Sequence, residues 1–204
     1  MPSYGTNSHG ANSAPSNQGQ SRSKWTTRQL VTLSLMCALS ILLSFIEFPI
    51  FPSASFLKLD VSLVPAMVVA FAYGAPSGLL CGIACAVAHG IITGDWVGSL
   101  MNIIVAIVYV LPASLVYSKI KNLKGAIIGL SISTVCMIVA VSAANLVIDP
   151  TFYGIPFDVV AALILPAIAP FNLIKGVVVS VLSIVVFKGV KGILDDAQVD
   201  DGAR

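Results

Sequence analysis

One lysine lies inside an otherwise apolar segment, where it could pair with a buried acid or contact a ligand. Lys175 falls within the run Pro166–Phe187, which holds no other charge. At 1.5 Å per residue it lies roughly 18 Å from the Phe187 end of a segment long enough to cross a bilayer. A lysine at that depth costs roughly 2.5–3.5 kcal/mol to insert, so it requires a partner or a polar cavity. Two roles stay open: neutralisation by a carboxylate or by carbonyl groups, and the lining of a ligand cavity.

Other polar side chains are predicted at a similar depth, in the outer half of a helical bundle. They are Glu47, Lys58, Asp60, Asp95, Asn102, Asn145, Tyr153, Asn172 and Lys175. The inner halves of the apolar segments hold little beyond Ser, Thr and Cys. Asn102 and Asn145, taken singly, could be interhelical hydrogen-bonding residues. Gathered at one depth with Lys175, these groups are more typical of a ligand pocket.

Sequence signatures of catalysis, ATP hydrolysis and metal binding are missing. No GxxxxGK[ST], HExxH, GxSxG or CxxC pattern occurs in the chain. His89 is the only histidine outside the N-terminal tail, so no metal site is expected. Glu47 and Asp60 could approach each other, but both could equally cap helices or neutralise Lys58 or Lys175. We therefore expect neither an enzyme nor a bound cofactor.

The composition is that of an integral membrane protein. The chain is 57% hydrophobic and 10% charged, with a mean hydropathy of +0.95, whereas soluble domains carry about 25% charged residues. Residues 1–24 are rich in Ser, Gly, Asn and Gln and are expected to form a disordered tail. Residues 192–204 are expected to be a polar tail, which leaves 25–191 for one membrane domain.

Six apolar spans are predicted, so the expected fold is an all-α bundle of six transmembrane helices. The spans run from about Gln29 to Phe48, Leu59 to Tyr73, Gly78 to Ile92, Val97 to Tyr117, Gly125 to Ile148 and Pro166 to Phe187. The second contains Pro65 and is short or irregular. Turns are predicted at Gly74–Ser77 and Thr93–Trp96, and a longer loop is predicted from Asp149 to Leu165.

The basic residues indicate the orientation of these spans. Nine of the eleven Lys and Arg precede the first span, separate the fourth from the fifth, or follow the sixth. With six spans all nine lie on one side, while Lys58 lies on the other and Lys175 lies within the membrane. Because Lys and Arg favour the cytoplasmic side, both termini are expected in the cytoplasm.

Several stretches together follow the pattern of a known family: Ile46–Pro49, Phe56–Asp60, Val64–Ala66, Gly94–Asn102, Asn145 with Tyr153, and Pro170–Gly176. They resemble the substrate-binding S components of energy-coupling-factor vitamin transporters, and among these the riboflavin-specific type. The sequences PFNLIKG and FLKLD are the most specific, and the resemblance covers about residues 28–188. The chain departs from the family pattern at Leu146, where an aromatic residue is usual, at Pro150, one position early, and at His89-Gly90. These departures bear more on the exact vitamin than on the class of transporter.

The resemblance implies a multi-pass subunit of a prokaryotic plasma membrane that captures riboflavin from outside and has no cofactor of its own. A transmembrane coupling subunit and two ATPase subunits would then drive release inward, and no nucleic acid is expected as a partner. The residues implied to bind the vitamin are Leu57, Lys58, Leu59, Asp60, Trp96, Asn102, Asn145, Tyr153, Asn172 and Lys175. Asn145 could both donate and accept at the edge of a flavin ring, and Lys175 could donate to a ring carbonyl.

The same resemblance implies that two small residues on the first span dock the coupling subunit. Ser34 and Ala38 are four residues apart and therefore share one helix face. Small residues let a second helix approach closely within a membrane. Ser34 stands where the family has the first alanine of an AxxxA pair. The pair could instead pack against a neighbouring span of this chain.

Two other functions stay open. One is an S component for another vitamin or for a cobalt or nickel ligand, although the lack of histidines argues against a metal. The other is a membrane scaffold or sensor that transports nothing.

Overall fold

A computed structural model describes residues 26–50 and 57–202, with side chains described through residue 189. The predicted tail at residues 1–24 lies outside these ranges, as does Phe56 of the FLKLD sequence. The α-helices are α1 (Thr27–Ser44), α2 (Leu63–Tyr73), α3 (Ala75–Thr93), α4 (Trp96–Lys119), α5 (Leu123–Ile148), α6 (Phe157–Leu163) and α7 (Ala169–Gly202). The last helix thus continues into the segment predicted to be a polar tail.

Two short strands lie between α1 and α2. Strand β1 (Phe48–Pro49) pairs antiparallel with β2 (Lys58–Leu59), and Phe48 lies opposite Leu59. We call this element the strand pair. It brings the end of α1 beside the start of α2.

Polar residues and glycines determine where the helices begin and end. Asp95 caps α4 by accepting a 2.8 Å hydrogen bond from the Gly98 N–H, and Asn122 caps α5 by accepting one from the Gly125 N–H. Gly74, between α2 and α3, has a φ of +94°, which favours glycine. The connections at 74 and at 94–95 therefore lie within the two predicted turns.

Within the described ranges, five helical segments are long and apolar enough to cross a membrane. They are α1, α3, α4 and the segments Leu123–Tyr153 and Phe157–Gly189. Helix α2 is apolar but has only 11 residues, about 16 Å, and is shorter than the ~30 Å hydrocarbon core. Its residues 63–71 are all buried, which explains why α2 is apolar on every side. The chain is therefore a helical, multi-pass membrane protein in which the predicted second span is a short buried helix.

The prediction of a loop from Asp149 to Leu165 is wrong. Asp149–Tyr153 continues α5 as a π-helical turn, and α6 leads through a second π-helical turn, Ile164–Ile168, into α7. Pro156 precedes the first turn of α6, where a proline is tolerated, and the apolar residues after it give the helix a face to bury. The helix that carries Asn145 is thereby extended toward Tyr153.

Two apolar clusters hold the helices together. Fully buried members of the larger one are Met67, Tyr109, Val110, Leu130, Met137 and Val179. The smaller one consists of Leu57, Val160, Ala167, Ile168 and Phe171. The smaller cluster joins the β2 segment to α6 and to the start of α7.

Glycines permit close packing of helices at two places. A Cβ atom on Gly78 of α3 would lie 2.4 Å from the Ala70 Cβ of α2, and one on Gly176 of α7 would lie 2.6 Å from the Thr134 Cγ2 of α5. The Tyr109 hydroxyl of α4 donates a 2.9 Å hydrogen bond to the Gly176 carbonyl oxygen. Helices α4 and α5 therefore both fix the part of α7 that carries Lys175.

Candidate ligand-binding site

A cavity of about 350 Å³ lies beside Lys175. Its walls are formed by Glu47, Leu57, Lys58, Asp60, His89, Asp95, Gly98, Met101, Asn102, Val105, Val141, Asn145, Asp149, Tyr153, Phe171, Asn172 and Lys175. Small-molecule sites typically measure roughly 300–1,000 Å³, so the cavity is large enough for a compact ligand. Eight of the ten residues predicted to bind a ligand line it.

Lys175 is paired with Asp60, the residue that precedes α2 by a short turn. The Lys175 Nζ lies 2.7 Å from the Asp60 Oδ2, and each side chain is 6% exposed. The other oxygen, Asp60 Oδ1, accepts hydrogen bonds from the Ser62 N–H and hydroxyl. Lys175 therefore has the carboxylate partner that its burial requires, and it also lines the cavity. An ammonium group has three N–H donors, so donors remain for a ligand.

Two buried asparagines, Asn145 on α5 and Asn172 on α7, line the cavity. The Nδ2 of Asn145 donates to the Val141 carbonyl oxygen at 2.8 Å, and the Nδ2 of Asn172 donates to the Ile168 carbonyl oxygen at 2.8 Å. Neither side chain makes another hydrogen bond within the ranges that the structure describes. Each amide therefore keeps one N–H and one carbonyl oxygen for a ligand.

Glu47 connects the strand pair to α3 at another part of the wall. Its Oε2 lies 2.7 Å from the Lys58 Nζ, and its Oε1 lies 3.5 Å from the His89 Nε2. Because the Glu47 carboxylate accepts a hydrogen bond from the ammonium group, the pKa of Lys58 is held above its ordinary value. The Lys58 side chain is 46% exposed, so this ion pair is in contact with solvent.

The two predicted residues that do not line the cavity lie beside it. Leu59 is half-buried and packs against the smaller apolar cluster. Trp96 is the first residue of α4 and is 62% exposed.

Several wall residues were not among the predicted ligand contacts. They are Glu47, His89, Asp95, Gly98, Met101, Val105, Val141, Asp149 and Phe171. Of these, Glu47 and Asp95 were predicted at the depth of the pocket but were not assigned to the ligand. For the apolar ones, sequence carries no signal that separates a cavity wall from a core.

Asp149 did carry a signal, because it follows Asn145 by four residues and so shares its helix face once the loop is recognised as helical. Asp149 is 2% exposed, and its Oδ2 has no hydrogen-bond partner within the described ranges.

The residues predicted to dock a coupling subunit lie on the outside of the bundle. Ser34 and Ala38 are exposed, as are Val31, Leu35 and Leu42 along the same side of α1. The Ser34 hydroxyl donates to the Leu30 carbonyl oxygen of its own helix at 2.9 Å. No neighbouring span covers the pair within the described ranges, so packing among those residues does not explain it.

Comparison with known proteins gives concordant matches across most of the chain. Residues 28–187 match the family model described as ECF transporter, substrate-specific component. The chain is 29% identical to the riboflavin transporter RibU of Staphylococcus aureus, over 79% of this chain and 89% of that protein. It is 26% identical to the riboflavin transporter FmnP of Bacillus subtilis, over 78% of this chain and 90% of that protein. A solved S component of a bacterial ECF transporter matches with a TM-score of 0.74 and 30% identity, over 82% of this chain and 97% of that one.

Proposed function

The chain belongs to the family of substrate-specific components of ECF transporters, and on that premise we propose that it captures riboflavin from the outer side of the membrane for uptake. Its family is one of transporter components, not enzymes. The observation that carries the proposal is the cavity, where one buried lysine and two buried amides converge beside apolar walls. Relatives named riboflavin transporters match over more than three quarters of the chain.

The chemistry of a flavin suits these walls. The ring is flat and largely apolar, and one edge presents a carbonyl, an N–H and a second carbonyl in sequence. Lys175 can donate to a carbonyl, while Asn145 and Asn172 can each donate and accept. Met101 and Phe171 offer apolar surface to the ring. A ligand that satisfies buried polar groups gains affinity, because leaving such a group unpaired costs roughly 1–3 kcal/mol.

The proposal includes the orientation and the partners of the chain. The protein lies in a prokaryotic plasma membrane with both termini in the cytoplasm, and α2 serves as a sixth, shortened span. As the family resemblance implies, energy comes from two ATPase subunits through a transmembrane coupling subunit, which agrees with the lack of a P-loop in this sequence. That subunit docks on the α1 face around Ser34 and Ala38, which is supported by the exposure of both residues.

Purification from cells supplied with riboflavin tests the ligand. We expect the protein to retain yellow flavin, and an excess of another vitamin, such as thiamine, to leave that flavin in place. Displacement by a different vitamin would favour an S component for that compound. A scaffold or sensor would be favoured if the purified protein holds no small-molecule ligand and if cells that supply the other subunits take up flavin equally well with and without this protein.

A further inference from the structure

Asp149 is the one acid of the cavity wall that makes no hydrogen bond or ion pair within the described ranges. The other three, Glu47, Asp60 and Asp95, each accept a hydrogen bond from a lysine or from a backbone N–H. Asp149 is nevertheless 2% exposed. A buried carboxylate without donors is unfavourable, because burial removes the water that would otherwise solvate it.

The described part of the cavity wall offers Asp149 no spare lysine. The cavity wall has two lysines, Lys58 and Lys175, and each already lies 2.7 Å from the carboxylate of another acid. The donors that Asp149 lacks can therefore come from a ligand in the cavity. Since an ionised carboxylate only accepts, the ligand groups beside it are expected to be N–H or O–H donors.

The position of Asp149 along its helix indicates which part of the ligand it meets. Asp149 follows Asn145 by four residues, which is one turn or roughly 6 Å further along the α5 face. A flavin whose ring edge lies at Asn145 and Lys175 and whose sugar-alcohol chain runs along α5 would bring that chain past this turn. A polyol presents several O–H donors in a row, and the two oxygens of a carboxylate can accept from neighbouring ones.

We propose that Asp149 accepts hydrogen bonds from the hydroxyl groups of the ligand's polyol chain, so that the cavity selects a polyol-bearing flavin over the bare ring. This inference rests on the proposed function and deepens it. In this arrangement Lys175 and the two asparagines contact the flavin ring, and Asp149 contacts the polyol chain of the ligand. Removing Asp149 is therefore expected to matter only for ligands that carry hydroxyl groups.

Asp149→Asn tests the inference, because it keeps the shape of the side chain and removes the charge. Binding of riboflavin and of lumiflavin, which has a methyl group in place of the polyol chain, is measured by flavin fluorescence. Hydrogen bonds to charged groups contribute about 1.5–3 kcal/mol, so the variant should bind riboflavin roughly tenfold or more weakly. Its affinity for lumiflavin should stay within about twofold of wild type. Asp158→Asn, an exposed acid outside the cavity wall, should change neither affinity.

Other binding results would contradict the role proposed for Asp149. An equal loss for both flavins would overturn the inference, since Asp149 would then support the ring or the fold. Unchanged binding of both would also overturn it. Retained lumiflavin binding shows in the same experiment that the variant is folded. If the wild-type protein binds neither flavin, the proposed function itself fails, and the inference with it.

Discussion

The ammonium group of Lys175 lies 2.7 Å from the carboxylate of Asp60, a residue 115 positions earlier in the chain. Both side chains are 6% exposed. This ion pair links α7 to the turn that follows the strand pair, and it holds two cavity-lining residues in one place. Stability and ligand binding are therefore expected to depend on the same contact.

Lys175→Met is expected to destabilise the protein strongly. It leaves the buried Asp60 carboxylate unpaired, a change that typically costs about 3–5 kcal/mol. Lys58→Met is the matched control, because its ion pair with Glu47 is solvent-exposed and should contribute at most about 1 kcal/mol. Unfolding followed in detergent compares the two variants. Combining Asp60→Asn with Lys175→Met should recover much of the loss, whereas equal losses for Lys175→Met and Lys58→Met would contradict the pairing.

Gly176→Ala tests the close packing that positions Lys175. The added Cβ would lie 2.6 Å from the Thr134 Cγ2, so we expect a loss of about 1–3 kcal/mol in unfolding free energy and weaker ligand binding. Thr134→Ala removes that methyl group and should partly restore both in the double variant. Gly189→Ala serves as the control, because its Cβ would meet no atom within 4 Å. A Gly176→Ala variant as stable as the Gly189→Ala variant would show that α5 and α7 are further apart.

Docking through α1 predicts a separation of binding from uptake. Ser34→Leu together with Ala38→Leu should leave ligand binding unchanged in the isolated protein and abolish ATP-dependent uptake in cells that supply the other subunits. Ser131→Leu with Val135→Leu is a matched control on α5, since both residues are exposed and Ser131, like Ser34, donates to a carbonyl of its own helix at 2.9 Å. Uptake that survives the α1 changes, or is lost equally in the control, would argue against docking at this face.

The proposed orientation predicts which sides single cysteines can be labelled from. In a background whose four native cysteines are replaced, Asp158→Cys should react with an impermeant reagent added outside intact cells. Lys121→Cys should react only after the membrane is opened. Both positions are exposed in the folded protein, so failure to react would reflect the side of the membrane. The reverse pattern would overturn the orientation and with it the direction of capture.

The depth of the site could be predicted from sequence because polar residues are rare in this chain. A lysine or an asparagine inside an apolar run needs a polar partner, and the rise per residue of a helix gives its depth in the membrane. The partner was harder to assign, since Glu47 and Asp60 were equally possible for Lys58 and Lys175. Only the packing of α2 against α7 decides that Asp60 reaches Lys175.

The segment after α5 could not be predicted for a different reason. Pro150 and Pro156 are turn signals, so a loop was expected. The segment is instead mostly helical, with a break only at residues 154–156, because apolar residues after the break are buried in the smaller cluster and tertiary packing outweighs most of the local signals. Asp149 was missed as a wall residue for this reason.

Titration of riboflavin with the purified protein tests the central claim most directly. The wild type should quench flavin fluorescence to saturation at one ligand per chain. Asn145→Ala should weaken binding about 5- to 150-fold, since a lost partner in a buried hydrogen bond costs about 1–3 kcal/mol. Fluorescence that stays unquenched at micromolar protein, or an Asn145→Ala variant that binds as tightly as wild type, would contradict riboflavin capture in this cavity.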